Sequence, residues 1–506
     1  MNKIREIFVK SDLFEKILLL APIFIWFSYA PNFHIGRGDG MNFEFSLTMI
    51  YVVILALVAL PRIWHFRHTL LASRAVWLTG AFIVWNIASI LWSENQTRAI
   101  LTSGVWPVLW LDFLGIMTIK SAQFWPTFKR NYIISGVAMS LIAIIQVVYG
   151  TWTDVGLCAG CLARGFGFVR PSVFAIEPQF FGSLLLAPIL LVMYELITKK
   201  ASKHNFTYLF LMLVAMYLTL SRGAIFALAV AAIAMSVAII LAKTAKLKRV
   251  LCIVVVMTGL SFTTGLITHA IFTELNPRVS DGFYDSISKS INQMSLGIIK
   301  LPNLNQFEVV SDEIIEGRVN EFGTDEVPKF DNPVTFDESD ITPEPQPDAT
   351  TDKALFDGYV ERSTDERTNL SRLSFQTWRK DLPTMLFGVG VGGSGKAIYG
   401  YTQATGWEYE IVQNQFLEIL LELGIIGLIL FAALILGFIY SAKKKIAFIA
   451  IMIAFIVQWN FFSGLPNALH IYLILAVLFA TIKGAYEKEP DLYRRLRTTK
   501  SGISDQ

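Results

Sequence analysis

Leu218-Thr-Leu-Ser-Arg-Gly-Ala-Ile225 interrupts an otherwise continuous apolar run from 206 to 241. That run is too long for one crossing of roughly 30 Å of hydrocarbon and suits two that turn back at Ser221-Arg222-Gly223. Reading outward from this hairpin, further apolar runs fall near 15–31, 45–61, 75–92, 99–119, 131–149, 173–197, 249–268, 412–440, 446–463 and 467–482. Together they predict an all-α membrane protein of about twelve transmembrane helices. The composition agrees, with 54% hydrophobic residues, 16% charged residues and a mean hydropathy of +0.52. A soluble domain carries nearer a quarter charged residues. The first span is expected to be retained. Ser28-Tyr29-Ala30 has the small residues of a cleavage site, but Pro31 follows directly and no leader pattern precedes it.

Charge placement tests the span count independently. With a cytoplasmic N-terminus, every second connection should be rich in Lys and Arg. Lys3, Arg5, Lys10 and Lys16 are followed by Arg62, Arg67 and Arg74, then Lys120, Lys129 and Arg130. Next come Lys199, Lys200 and Lys203; Lys243, Lys246, Lys248 and Arg249; Lys443 to Lys445; and a tail from Lys483 to Lys500. About 26 basic residues thus fall inside, against about 5 in the short outer loops, and the alternation never reverses. The pattern predicts a multi-pass protein of the cytoplasmic membrane with both termini inside. Short basic loops facing anionic lipid leave no nucleic-acid footprint.

The chain divides into nine helices over 1–269, an extracytoplasmic loop domain over 270–411, and three helices with a basic tail over 412–506. The loop domain is acidic, with about 24 acidic and 12 basic residues. Residues 303–352 are rich in Asp, Glu, Pro and Thr. Asp331-Asn-Pro-Val-Thr-Phe-Asp-Glu-Ser-Asp340 has little to bury, so a flexible, disordered tether is expected there. The flanks differ: Phe283, Ile287, Ile291, Met294 and Ile298 recur at helical spacing, as does the pattern from Asn369 to Trp378. Cys158 and Cys161, on the outer loop 150–172, suit either a small disulfide or two free thiols, and a two-Cys metal site lacks its other ligands. Cys252 reads as a small apolar residue within a span.

Chemistry concentrates in four outer-edge segments. The first is Arg170-Pro-Ser-Val-Phe-Ala-Ile-Glu-Pro-Gln-Phe-Phe-Gly182, and the second is the 218–225 hairpin. The third is Ser371-Arg-Leu-Ser-Phe-Gln-Thr-Trp-Arg-Lys-Asp-Leu-Pro383, followed by Leu386-Phe-Gly-Val-Gly-Val-Gly-Gly393. The fourth is Val412-Gln-Asn-Gln-Phe-Leu-Glu-Ile-Leu-Leu-Glu-Leu-Gly-Ile-Ile-Gly427. Plainer readings exist for each. Arg170 and Glu177 suit an interfacial ion pair, and Arg222 suits an arginine snorkelling to lipid phosphate. An outer Arg between abutting spans nevertheless runs against the positive-inside tendency. Ser221 is placed to cap the following helix, whose N-terminal dipole adds to the guanidinium's pull on an anion. Gly390 to Lys396 fits G-x-x-x-x-G-K, but Ala397 stands where a magnesium-holding Ser or Thr belongs, and the segment faces away from cytoplasmic ATP. Gly424 and Gly427, three apart, read as a close helix-packing face.

R-P-S-x-x-x-x-E-P, S-R-G, S-R-L with P-x-x-x-F-G-V-G, and Q-N-x-x-L-E-x-x-x-E-L-G-x-x-G stand in this order around a long outer loop. In this the chain resembles the O-antigen ligase and O-antigen polymerase family of bacterial membrane glycosyltransferases. The resemblance implies transfer of a glycan from an isoprenoid-pyrophosphate carrier to a glycan or glycolipid acceptor hydroxyl at the outer face, without metal or other cofactor. Arg222 and Arg372 match the family's two arginines, which implies that they hold the pyrophosphate. Arg170 is a third candidate, with Asn414 and Trp378 as further substrate-binding candidates. The family's His before the Asn of the fourth segment is replaced by Gln413, which cannot act as a base; either Glu177, Glu408 or Glu410 takes the proton, or the activity differs or is lost, which leaves a catalytically inactive membrane scaffold as a third reading. The competing expectation is a lipid-glycan flippase or another twelve-helix transporter. Such a protein should show repeat symmetry and broken or ionisable midplane helices, whereas Asp112 reads as the main intramembrane acid.

Overall fold

The computed structural model describes 12–37, 41–119, 124–153, 163–164, 169–175, 177–198, 203–247, 359–402, 412–443, 445–463 and 468–483, with scattered positions from 250 to 263. Cys158, Cys161, Cys252, Glu408, Glu410, the pattern from Phe283 to Ile298 and the 303–352 stretch lie outside the described residues.

The protein is mostly helical. Among the described residues seven helices are long and apolar enough to cross a membrane: Leu47–Leu71, Arg74–Trp92, Gln96–Ile116, Phe124–Gly150, Pro178–Thr198, Arg222–Leu241 and Gln415–Ser441. Lys203–Leu218 and the apolar Ile446–Gln458 and Leu469–Ile482 are shorter. Most of the expected ninth span lies outside the described residues.

The first expected span is not one helix. It is split into α1 (Leu13–Leu18) and α2 (Ala21–Phe24), followed by the antiparallel hairpin of β1 (Asn32–Arg37) and β2 (Met41–Ser46). A helix broken in an apolar setting must find partners for its freed carbonyls. They come from the next helix, α3 (Leu47–Leu71): the Tyr51 hydroxyl donates to Ile17 O at 2.9 Å and the Thr48 hydroxyl to Phe24 O at 2.6 Å. Trp26 Nε1 donates to Pro22 O at 2.8 Å.

The remaining helices are α4 (Arg74–Ala88), α5 (Gln96–Ile116), α6 (Phe124–Thr153), α7 (Pro178–Thr198), α8 (Lys203–Leu218) and α9 (Arg222–Leu241). Between α6 and α7 lie the short strands β3 (Ala163–Arg164) and β4 (Val169–Arg170). After the long loop come α10 (Tyr359–Trp378), α11 (Leu382–Phe387), α12 (Ser394–Thr402), α13 (Gln415–Ser441), α14 (Ile446–Gln458) and α15 (Leu469–Lys483).

α7 is the axis of the fold: 89% of its most apolar window is buried, and it packs on α6, α8, α9 and α14. Ala224, Ala227 and Ala231 of α9 are buried and leave room for close approach to neighbouring helices. Asp112 is buried in α5, and it is not the main intramembrane acid, because Glu418 and Glu422 are also buried within an apolar span, α13. Helices α10–α12 form a second small core, in which Leu370, Val389, Ala397 and Ile398 pack with Val412 and Leu421.

α13 is broken. Gly424 has φ +67° and ψ −171°, a conformation essentially reserved for glycine. The loop after α11 fills the break: Val389 N–H donates to Leu421 O and Gly390 N–H to Glu422 O, both at 2.9 Å. Trp85 Nε1 donates to Leu423 O at 3.0 Å. Three carbonyls that the break would orphan are therefore satisfied. Gly424 thus marks a break, where its spacing to Gly427 had read as a packing face.

Candidate active site

The first, second and fourth motif segments each contain a non-glycine residue in the left-handed backbone region: Val173 (φ 54°), Leu220 (φ 47°) and Gln413 (φ 56°). For a β-branched residue such as Val173 this is a true outlier, and strain of this kind concentrates where function over-determines the backbone. The Gln146 side chain of α6 clamps Val173, its Oε1 accepting from Val173 N–H at 2.9 Å and its Nε2 donating to Val173 O at 3.3 Å.

That clamp presents Arg170 to the hairpin. Its Nε donates to Thr219 O at 2.9 Å. The Thr219 hydroxyl accepts from Ser221 N–H at 3.1 Å, and the Ser221 hydroxyl caps α9 by accepting from Ala224 N–H at 3.4 Å. Arg222, half-buried, is the first residue of α9. The turn is pressed into the bundle at two glycines. A Cβ on Gly223 would lie 2.7 Å from the Phe461 ring, and one on Gly182 would lie 2.8 Å from Ala224 Cβ.

Phe461 ties in the remaining elements. Gln179, near the start of α7, donates from Nε2 to Phe461 O at 2.6 Å and accepts at Oε1 from Arg367 Nη1 at 2.9 Å. Gln415 N–H donates to Trp459 O at 2.8 Å, which joins α13 to the same loop. Arg170, Arg222 and Arg367 therefore belong to one hydrogen-bonded and packed network at one end of the bundle.

Arg372 is placed differently. Leu370, Ser371, Ser374 and Thr377 form the buried face of α10, and Arg367 lies on the same side. At about 100° per residue, Arg372 points roughly 150° away from that face, and it is exposed. Glu177 is exposed just before α7, where its carbonyl accepts from Phe180 and Phe181 N–H. Gln413 is half-buried directly before Asn414. Asn414 is buried, and its Oδ1 caps α13 by accepting from Phe416 and Leu417 N–H at 3.1 Å each. Trp378 donates its indole N–H to Met385 O at 3.1 Å, holding α10 to α11. Asp381 caps α11 through Thr384 N–H at 2.7 Å, and these bonds to Thr384 hold its carboxyl below the ordinary range. Lys380 pairs with Glu94 at 3.5 Å, fastening the end of α10 to the 92–96 turn.

Arg367 and Arg98 are the residues that motif reading passes over. Arg367 precedes the S-R-L motif by one helical turn, and its i, i+3, i+4, i+7 relation to Leu370, Ser371 and Ser374 is a visible signal. Arg98 follows the Asn95 cap of α5 and lies near Glu418 and Glu422. Arg170, Arg222 and Arg367 thus gather with the capped N-terminus of α9 and a strained turn at one end of the bundle. Among the described residues no group of three or more His, Cys, Asp or Glu is positioned to hold a metal ion.

Residues 207–432, which include the hairpin, α10–α12 and the first part of α13, match the family described as O-antigen ligase. No curated protein matches the chain.

Proposed function

From an integral membrane protein that carries an O-antigen ligase domain over 207–432, we propose a glycosyltransferase acting at the outer face of the cytoplasmic membrane. It moves a glycan from an isoprenoid-pyrophosphate carrier to the hydroxyl of a glycan or glycolipid acceptor. Both termini are cytoplasmic, and about twelve segments cross the bilayer. The observation that carries this reading is the convergence of Arg170 and Arg222 at the strained, capped turn between α8 and α9.

Nucleotide sugars are not available outside the cell, so the energy must arrive in the donor lipid. As the glycosidic bond to the pyrophosphate breaks, negative charge develops on the leaving group. Arginine forks stabilise that charge bidentately, and fixed donors in a water-poor mouth act more strongly than in bulk water. We assign Arg222 and Arg170 to the pyrophosphate, with Arg367 beside them. Arg372 joins by family match alone, because on α10 it points away from the face that brings Arg367 to Gln179. Glu177, exposed at the same end, is our candidate for taking the acceptor proton, with Glu410 as the second. Gln413 and Asn414 orient the acceptor, and Trp378 keeps α10 and α11 in place around it. An apolar cavity of about 510 Å³ among α4, α5, α13 and α15, lined by Phe82, Trp106, Trp110, Phe431, Phe438 and Phe479, is consistent with a lipid tail.

The transporter reading gains one feature, the broken α13 with its buried Glu418 and Glu422. The break is closed by the Val389–Gly390 backbone and the Trp85 indole, which disfavours an alternating path there. The lipid-linked glycan profile of cells with and without the gene tests the proposal. Accumulated unpolymerised units indicate a polymerase, and accumulated long lipid-linked chains indicate a ligase. An unchanged profile would refute both.

A further inference from the structure

Glu418 and Glu422 lie one turn apart on α13, and both are at least nine-tenths buried. They line a small chamber of about 20 Å³ together with Gln415, Asn86 and Thr102, which is room for about one water-sized particle. The two carboxylates are not equivalent. Glu422 receives the backbone N–H groups of Gly392 and Ser394, at the N-terminus of α12. Glu418 keeps an oxygen, Oε2, with no hydrogen-bond partner, and Gln415 Oε1, in a side chain 5% exposed, has none either. The Ser463 hydroxyl lies beside the Glu418 carboxylate, but Glu418 Oε2 and Gln415 Oε1 remain as two buried acceptors without a donor. The charged group near both carboxylates is Arg98, and the Tyr472 hydroxyl also lies near Glu418. With both carboxylates ionised, the cluster carries one negative charge in excess. Glu422 also sits at the C-terminal end of the first half of α13, where the helix dipole is negative.

We propose that this chamber binds a single monovalent hard cation of sodium size, held by Glu418, Glu422 and the Gln415 carbonyl oxygen. The donor set is oxygen only, which suits a hard cation and not a transition metal. One positive charge closes the balance that Arg98 leaves open, and the volume admits one ion without its hydration shell. The cation holds the three side chains of the first half of α13 together, facing the Asn86 and Thr102 walls of the chamber. The proposal goes beyond glycan transfer and does not depend on it.

The full-length protein in detergent tests the idea by thermal unfolding at constant ionic strength, with sodium replaced by N-methylglucamine. Because only the folded state holds the ion, the midpoint should climb in equal steps for each tenfold rise in sodium above about the dissociation constant. Glu418→Gln keeps the shape and removes the excess charge, so its midpoint should not respond to sodium. Should Glu418→Gln fail to fold, Gln415→Leu serves, with a weakened sodium response expected. A wild-type midpoint that responds to acidification and not to sodium would overturn the proposal in favour of a proton on Glu418. A midpoint indifferent to both would overturn it in favour of a water.

Discussion

Replacing Gly424 by Ala should damage the protein far more than its single methyl group implies. The added Cβ would lie 2.2 Å from Leu386 O, 2.4 Å from Leu386 C and 2.6 Å from Phe387 N. All three are backbone atoms, so no flexible side chain can yield. The reciprocal contact is equally tight, since a Cβ on Gly388 would meet Glu422 O at 2.3 Å. A non-glycine residue held at φ +67° and ψ −171° costs about 1–3 kcal/mol in backbone strain. Moving the 386–390 loop away to make room breaks the Val389–Leu421 and Gly390–Glu422 hydrogen bonds, at about 1 kcal/mol each. The sum is a destabilisation of about 3–5 kcal/mol. Gly437→Ala is the internal control, because its Cβ finds no neighbour nearer than Leu78 Cδ2 at 3.9 Å. There alanine's better helix propensity makes the change neutral or stabilising by up to about 1 kcal/mol. Unfolding midpoints of the two variants in the same detergent provide the assay. A Gly424→Ala protein as stable as Gly437→Ala would refute the account of the broken helix.

Other expected outcomes concern the caps and the membrane orientation. Asn414→Ala removes two accepted hydrogen bonds at the start of α13 and should cost about 1 kcal/mol, read as a lowered unfolding midpoint that Asn414→Asp largely restores. Asp381 titrates below the ordinary carboxylate range because of its bonds to Thr384. Its contribution to holding α11 is therefore present above the unfolded-state value and is lost as pH falls through the lowered folded value. Thr384 amide protection from hydrogen exchange should drop on acidification in the wild type and stay level in Asp381→Asn. For orientation, a cysteine placed at Ser311 should be labelled by impermeant reagents from outside and one at Ser501 from inside; the reverse pattern would invert the proposed topology.

Much of this molecule is legible locally. The Ser221 cap and the start of α9 at Arg222 follow from a small polar residue before an apolar run, and the structure has both. The Asn369 to Trp378 pattern falls within α10. What sequence reading missed depends on partners far along the chain. α13 reads as one continuous apolar helix because hydropathy does not register the break at Gly424, which exists because a loop more than thirty residues earlier donates to its carbonyls. The split of the first span into α1 and α2 likewise needs the hydroxyls of Thr48 and Tyr51. In the site, motif matching picked Arg222 and Arg170, which the fold joins through Thr219. It passed over Arg367, which the packing of α10 on α13 and α12 leaves within hydrogen-bond reach of Gln179.

The most direct test of the central claim is transfer of a lipid-linked glycan by purified Arg222→Ala, measured beside Arg222→Lys and the Arg222→Ala, Arg372→Ala double variant. Losing a fixed positive group at the leaving pyrophosphate should cost about 3 kcal/mol, or roughly a hundredfold in rate. Lysine should recover only part of it, because a compact ammonium lacks the planar two-bond fork. Undiminished transfer by the folded double variant would contradict the account and leave the arginines as lipid anchors.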